Sequence, residues 1–290
     1  MCRSLGRSDG QELAMTFASH RPRKRFGQHW LIDQHVLDAI VAAAELEPSS
    51  RVLEIGPGRG ALTERLLQTQ AAAVMAVELD RDLLEGLRQR FIDSRFQLIA
   101  GDALEVHFPE ANTVVANIPY NITGPILERL IGRLDHPVAP PYRRLVLLVQ
   151  QEVGERIRAV PGSSAFSALS VRMQLLGLCR RVCAVPPRCF QPPPKVHSEV
   201  IAIDPFPSDQ RLEPAVASDV EKLLRRCFAA RRKMLRNTLA GLHPAEELAA
   251  VAINAGVGLQ QRPQEIAPER WVALARGLNR TTPDPQASDG

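Results

Sequence analysis

Apolar positions along residues 33–117 recur at two alternating periods. After Asp33, the residues Val36, Leu37, Ile40, Val41 and Ala44 mark one face of a helix that Asp33 is placed to cap and Pro48-Ser49-Ser50 to stop. Residues 51–55, 73–77, 96–100 and 113–116 are short aliphatic runs of strand length, ending before Gly56, Glu78, Gly101-Asp102 and Asn117. Residues 61–67, and a stretch with Leu83, Leu84, Leu87 and Phe91 on one face, predict helices between them. Strands alternating with helices imply an α/β fold with a parallel sheet and right-handed crossovers. The alternation continues through a helix near 126–131, a strand at 145–149 and a helix at 166–176. Residues 182–185 and 200–203 then read as an antiparallel pair around the proline-rich segment 186–194. From Pro214 onward only helical patterns remain. A boundary is expected near 205–208, giving an α/β domain over 21–206 and a small all-helical domain over 207–280. Residues 1–20 are expected to be a disordered extension and 281–290 a disordered tail. No internal repeat of about 20–50 residues is visible.

Composition agrees with two domains, since 290 residues is about twice the length expected of one. Apolar residues make up 45% and charged residues 23%, and no apolar run approaches the roughly 18 residues of a membrane span. A membrane-spanning protein and a wholly disordered chain are excluded. The net charge of +4 is concentrated at the N-terminus, where Arg3, Arg7, Arg21, Arg23, Lys24 and Arg25 face only Asp9 and Glu12. In the balanced remainder, Arg225, Arg226, Arg231, Arg232, Lys233 and Arg236 form a second basic cluster with no acid between them. Two such patches suggest a polyanionic partner; a solvated charged face stays open for either one alone.

Five cysteines without a C-x-x-C pair argue against a disulfide framework or zinc site and for a reducing, cytoplasmic location. The seven histidines lack H-x-x-x-H spacing, and no metal is expected. The N-terminus has no apolar stretch of the kind a secretory signal needs. Its Arg and Ser content is like that of an organelle transit peptide, against which stand Asp9 and Glu12, and Met15 is an equally good start. With no heptad or long exposed apolar stripe, a monomer is expected.

Glu54-Ile55-Gly56-Pro57-Gly58-Arg59-Gly60 lies between a strand and a helix, where glycines permit a tight turn and close approach of a ligand to the backbone. Glu78 follows Gly56 by 22 residues, where an acid grips a ribose. Both NAD and S-adenosylmethionine carry adenosine, so this half of the site leaves the two open. Asp102, after the third strand, suits a hydrogen bond to an adenine amine or, equally, a strand-end cap.

Asn117-Ile118-Pro119-Tyr120 at the end of the fourth strand separates the two. The exocyclic nitrogen of adenine is a poor nucleophile because its lone pair is delocalised into the ring. Two acceptors aimed at its N–H groups, the Asn117 side-chain oxygen and the Ile118 carbonyl, would favour the tetrahedral geometry in which it reacts. Pro119 fixes the turn, and Tyr120 offers a face on which a flipped base can stack. Methyl transfer from a sulfonium needs no strong base, so catalysis reduces to positioning and electrostatics. Phe190, opening the rigid segment Phe190-Gln-Pro-Pro-Pro-Lys-Val-His-Ser198, is a candidate second platform opposite Tyr120.

Four segments together resemble the ribosomal RNA adenine N6,N6-dimethyltransferase family over about residues 21–280. They are Lys24-Arg25-Phe26-Gly27-Gln28, the glycine segment 54–60, Asn117 to Tyr120, and Phe190-x-Pro-x-Pro-x-Val-x-Ser198. The helical tail with Phe228-Ala-Ala-Arg231-Arg232-Lys233 makes the small-subunit (16S) branch the most similar. The resemblance implies a Rossmann-like S-adenosylmethionine-dependent methyltransferase sheet. It implies cofactor contacts at His29, Leu31, Gly56, Glu78, Asp102 and Asn117, which Gly58 joins through its place in the turn. Base contacts are implied at Asn117, Tyr120 and Phe190. RNA contacts are expected at Arg23, Lys24, Arg25, Arg225, Arg226, Arg231, Arg232, Lys233 and Arg236. The implied reaction is dimethylation of two adjacent adenosines in the 3′-terminal hairpin loop of small-subunit RNA, within a pre-30S particle and during ribosome biogenesis. The chain departs from the family at His29-Trp30, where Asn-Phe is usual, and at Ile118, where Leu is commoner.

Three other readings stand beside this one. A resistance-type dimethylase of large-subunit RNA would share the chemistry, but the Arg-Arg-Lys helix favours the small subunit. An assembly factor with dispensable catalysis would have no need of the intact Asn117-to-Tyr120 element. An NAD oxidoreductase would require a hydride-transfer constellation that the chain lacks.

Overall fold

A computed structural model describes residues 28–281 of the chain. Its first strand, β1 (Trp30–Leu31), is followed by α1 (Gln34–Ala44), β2 (Arg51–Ile55), α2 (Ala61–Leu67), β3 (Ala73–Glu78), α3 (Arg81–Arg90), β4 (Phe96–Ala100) and β5 (Thr113–Asn117). Next come α4 (Thr123–Ile131), β6 (Arg144–Gln150), α5 (Gln151–Ile157), α6 (Ala168–Leu176), β7 (Gly177–Val185), β8 (Phe190–Gln191) and β9 (Ser198–Pro205). Four helices follow: α7 (Pro214–Phe228), α8 (Leu235–Thr238), α9 (Ala245–Asn254) and α10 (Pro268–Thr281).

Seven strands form one sheet in the order β4-β3-β2-β5-β6-β9-β7. Pairing is parallel from β4 through β6, and β9 runs antiparallel to β6. The aliphatic runs Val114–Ala116 and Leu145–Val149 are completely buried, as expected of strands covered on both faces. Because the chain steps outward in one direction after β2 and in the other after β5, the switch point lies between these two strands. The register Ile55↔Ala116, Ile55↔Val77 and Glu78↔Ala100 makes β2 to β5 end together. Gly56, Glu78, Asp102 and Asn117 therefore stand along one edge.

Asp33 caps α1 as expected, accepting from Val36 N at 3.1 Å, but the helix stops at Glu45 in a left-handed conformation, before Pro48. Its buried face takes Ala43, with Val41 only partly covered. Helix α6 starts at Ala168, later than the apolar pattern suggests, because Ser167 caps it in a reciprocal bond with Ser170. The strands around the proline-rich segment are also longer than expected, and β9 lies between β6 and β7. A further pairing has no counterpart in the sequence pattern: β1 and β8 form a two-stranded antiparallel ribbon with Leu31 opposite Phe190.

The chain packs as two compact units. The first comprises the described residues up to 130, with 142–154 and 180–204; the second comprises 131–141, 155–179 and the described residues from 205. Segments 131–141 and 155–179 thus cluster with the C-terminal helices although they precede Pro205. The second unit is built around fully buried Trp271, Leu224, Leu235 and Leu274. Arg172 of α6 donates to both carboxylate oxygens of buried Glu221 in α7 at 2.8–2.9 Å.

Candidate active site

At the carboxyl ends of β2 to β5 the first unit opens into a cleft of about 790 Å³, lined by Gly56, Gly58, Glu78, Leu79, Asp102, Asn117, Pro119 and Tyr120, with Gln28, His29 and Trp30 at its side. The glycine turn depends on backbone angles that side chains resist, with φ of +71° at Gly56 and +58° at Gly58. A Cβ at Gly58 would also stand 2.9 Å from the Trp30 ring.

Glu78 is oriented by the turn itself. Its two carboxylate oxygens accept from Gly58 N at 3.0 Å and Asp80 N at 2.8 Å. Burial pushes its carboxyl above the usual range. Each oxygen keeps a second lone pair for a hydroxyl. Asp102 lines the cleft while one oxygen accepts from Leu104 N at 2.8 Å, so it is a strand-end cap and a cleft residue together.

Glu54, the first residue of the glycine segment, has a distinct environment. Thr63 donates to one of its oxygens at 2.7 Å, and the other, Oε1, has no hydrogen-bond partner among the described residues. Burial pushes this carboxyl up to about 8, assisted by the neighbouring charge of Glu78. Glu54 also lines an adjoining cavity of about 780 Å³ with Leu31, Gly56, Gly58, Arg59 and Asn117. A backbone turn that only glycine fits, beside the Glu78 carboxylate in the cleft, suits the ribose of an adenosine cofactor.

The tetrapeptide is held from several sides. Asn117 Nδ2 donates to the His29 carbonyl at 3.1 Å, which leaves Oδ1 as the acceptor of that amide. Ile118 N donates to Leu148 O at 3.2 Å, across to β6. The turn's own hydrogen bonds use the carbonyls of Pro119, from Ile122 N, and of Tyr120, from the Thr123 hydroxyl. Tyr120 shares a 2.5 Å hydrogen bond with Ser198, and burial raises its phenol.

Phe190 is placed differently from the expectation. It is not an open platform opposite Tyr120: it is only 3% exposed, belongs to the core cluster with Leu31, Val36 and Val200, and does not line the cleft. Pairing of Leu31 with Phe190 directs the ring inward, where burial of its large apolar surface is favourable. The ring stacked on Tyr120 is that of His29, at a centroid distance of 6.0 Å and an interplanar angle of 23°. Leu31 is likewise buried in this cluster.

The basic residues divide into two groups. Arg23, Lys24 and Arg25 lie outside the described residues. In the second unit, Arg226 donates to the carbonyls of Thr238 and Ala240, and Arg231 to that of Ser164. Arg225, Arg232, Lys233 and Arg236 are exposed.

The family model for ribosomal RNA adenine dimethylase matches residues 19–279. The chain belongs to the ribosomal RNA adenine dimethylase family. It is 67% identical to the ribosomal RNA small subunit methyltransferase A of Parasynechococcus marenigrum (strain WH8102), over 95% of this chain and 93% of that one. Among solved structures it is similar to a dimethyladenosine transferase from Plasmodium falciparum, with a TM-score of 0.74 and 27% identity over 87% of this chain and 98% of the other. It is also similar to the 23S rRNA methyltransferase ErmE, with a TM-score of 0.72 and 28% identity over 86% and 99%.

As a ribosomal RNA adenine dimethylase, the protein is an S-adenosylmethionine-dependent methyltransferase with a Rossmann-like sheet, and its substrate is ribosomal RNA. Its site contains three residues to which motif reading gave no task. Ser198 closes the proline-rich motif and holds Tyr120, and its place in the motif was the available signal. Gln28, which donates to Asp80, likewise closes the motif 24–28, whereas Thr63, which donates to Glu54, is recognisable only once the chain is folded.

Proposed function

We propose that this member of the family dimethylates two adjacent adenosines in the 3′-terminal hairpin loop of small-subunit ribosomal RNA, during ribosome biogenesis. We further propose that it acts as a cytoplasmic monomer on a partly assembled particle. The observation that carries the reading is the Asn117 amide, pinned through its nitrogen to His29 O beside the glycine turn, with its oxygen left as an acceptor.

Gly56, Gly58, Glu78 and Asp102, with Asn117, His29 and β1, would hold S-adenosylmethionine. Bound there, it supplies an electrophilic methyl group on sulfur. Asn117 Oδ1 and the Ile118 carbonyl accept the two N–H groups of the adenine amine, orienting its lone pair and favouring the geometry in which positive charge develops on nitrogen. Pro119, at φ −56° and ψ 130°, holds that carbonyl in place, and Tyr120 supports the ring by stacking. Each transfer would leave a neutral thioether and release one N–H proton, so after the first the amine keeps one N–H, which one of the two acceptors holds for the second transfer. A role for Phe190 at the base would require it to leave the core; in this structure the contact on Tyr120 is His29. Arg225, Arg232, Lys233 and Arg236 are the residues available to phosphates in the second unit.

The small-subunit assignment draws support from the 67% identical relative, whereas ErmE, at 28%, favours the large-subunit alternative. Methyl-labelled S-adenosylmethionine, offered with undermethylated small subunits, their naked RNA or large subunits, distinguishes these. Dimethyladenosine in the small subunits is the expected result. Label in large-subunit RNA would transfer the assignment, and binding without label would mean an assembly factor.

A further inference from the structure

We propose that His29 is a positioning residue that ties the proline-rich segment 186–197 to Tyr120 and holds the ring on which the substrate base stacks. The proposal rests on the role of Tyr120 in the proposed function. His29 makes three separate contacts with the machinery around it. Its carbonyl accepts from Asn117 Nδ2 at 3.1 Å, its ring lies against Tyr120, and its Nδ1 is 2.8 Å from the carbonyl of Pro192. A carbonyl only accepts, so Nδ1 carries the proton and donates to Pro192 O.

Ser198, which follows the segment and opens β9, bonds the phenol oxygen of Tyr120 from the other side. The segment is also anchored next to His29 by the pairing of Trp30 with Gln191 and Leu31 with Phe190. His29 thus occupies the corner at which β1, the proline-rich segment and the tetrapeptide meet.

The stacking distance assigns the faces of Tyr120. A base sandwiched between two rings needs about 7 Å, two contact distances of ~3.5 Å. The His29–Tyr120 centroids are 6.0 Å apart, which bounds the separation of their planes below that value. His29 therefore backs one face of Tyr120 and leaves the other to the base. It acts through Tyr120 and not on the reacting atoms.

His29→Ala, His29→Phe and His29→Asn separate the two side-chain contacts, because Phe keeps a ring without a donor and Asn keeps a donor without a ring. Turnover is measured on undermethylated small subunits at saturating concentrations of both substrates, and Kd for S-adenosylmethionine is measured without RNA. His29→Ala is expected to lower kcat roughly tenfold at saturating cofactor, over and above any rise in Kd from its place in the cofactor cleft, with His29→Phe regaining most of the kcat loss and His29→Asn little of it. If His29→Ala fails to fold, the Phe and Asn variants carry the same contrast. A raised Kd with wild-type kcat at saturation would make His29 a cofactor contact only and overturn the proposal. Wild-type kcat in all folded variants would overturn it as well, with the functional reading intact. Wild-type protein that methylates no ribosomal RNA would instead defeat that reading, and the proposal with it.

Discussion

Ser198 and Glu54 show how single buried groups sustain this site. The Ser198 hydroxyl is completely buried and bonds the Tyr120 phenol. Ser198→Ala should cost about 1–3 kcal/mol, the scale for orphaning a buried polar partner, and should lower turnover through Tyr120. Denaturant melts and kcat check the two effects separately, and an unchanged kcat would reduce the bond to packing. Glu54 has its folded pKa raised from 4.5 to about 8, so between those values the native state binds the extra proton. Its contribution to stability is complete below pH 4.5 and is lost as pH rises toward about 8. Glu54→Gln should therefore match the wild type in acid and become relatively more stable across that window, as read by Tm against pH. A constant Tm difference would remove Glu54 as the source. At this scale Gly56, Glu78, Asp102, Asn117 and Tyr120 were legible, because each belongs to a short motif at a strand end. The unmatched oxygen of Glu54 and the burial of Phe190 were not, since both arise from residues distant in the chain.

Among the elements, strand ends do most of the positioning. Register carries Gly56, Glu78, Asp102 and Asn117 to one edge, so sequence separations of up to 61 residues collapse to neighbouring turns. The β2–α2 turn requires Gly56 at positive φ, and Gly56→Ala should cost about 1–2 kcal/mol for the left-handed backbone and weaken cofactor binding as well. Thermal unfolding and calorimetric titration with S-adenosylmethionine measure both, and unchanged values in each would show that the turn relaxes. Helices and strands with full periodic patterns were readable from sequence. The β1–β8 ribbon was not, because two residues per strand are too few for any alternation to register. That ribbon brings His29 beside the proline-rich segment, and because no sequence pattern announces it, Phe190 was expected to face Tyr120.

For the whole molecule, the division of labour among basic residues is the testable feature. Charge counting gave six cluster residues equal standing, whereas Arg226 and Arg231 are committed to backbone carbonyls. Neutralising Arg225, Arg232, Lys233 and Arg236 should flatten the salt dependence of RNA binding by roughly 0.7–0.9 in slope for each phosphate that is no longer neutralised. Substituting Arg226 or Arg231 should instead lower the melting temperature. A slope unaffected by the first set would move the RNA surface elsewhere. The central claim concerns the Asn117 amide, and nucleoside analysis of RNA from undermethylated small subunits treated with wild type or Asn117→Ala tests it most directly. Wild type should produce N6,N6-dimethyladenosine, and Asn117→Ala should slow its formation about 10²- to 10³-fold, the scale for removing one preorganised transition-state hydrogen bond, while still binding the RNA. Dimethyladenosine formed by Asn117→Ala at the wild-type rate would contradict the account.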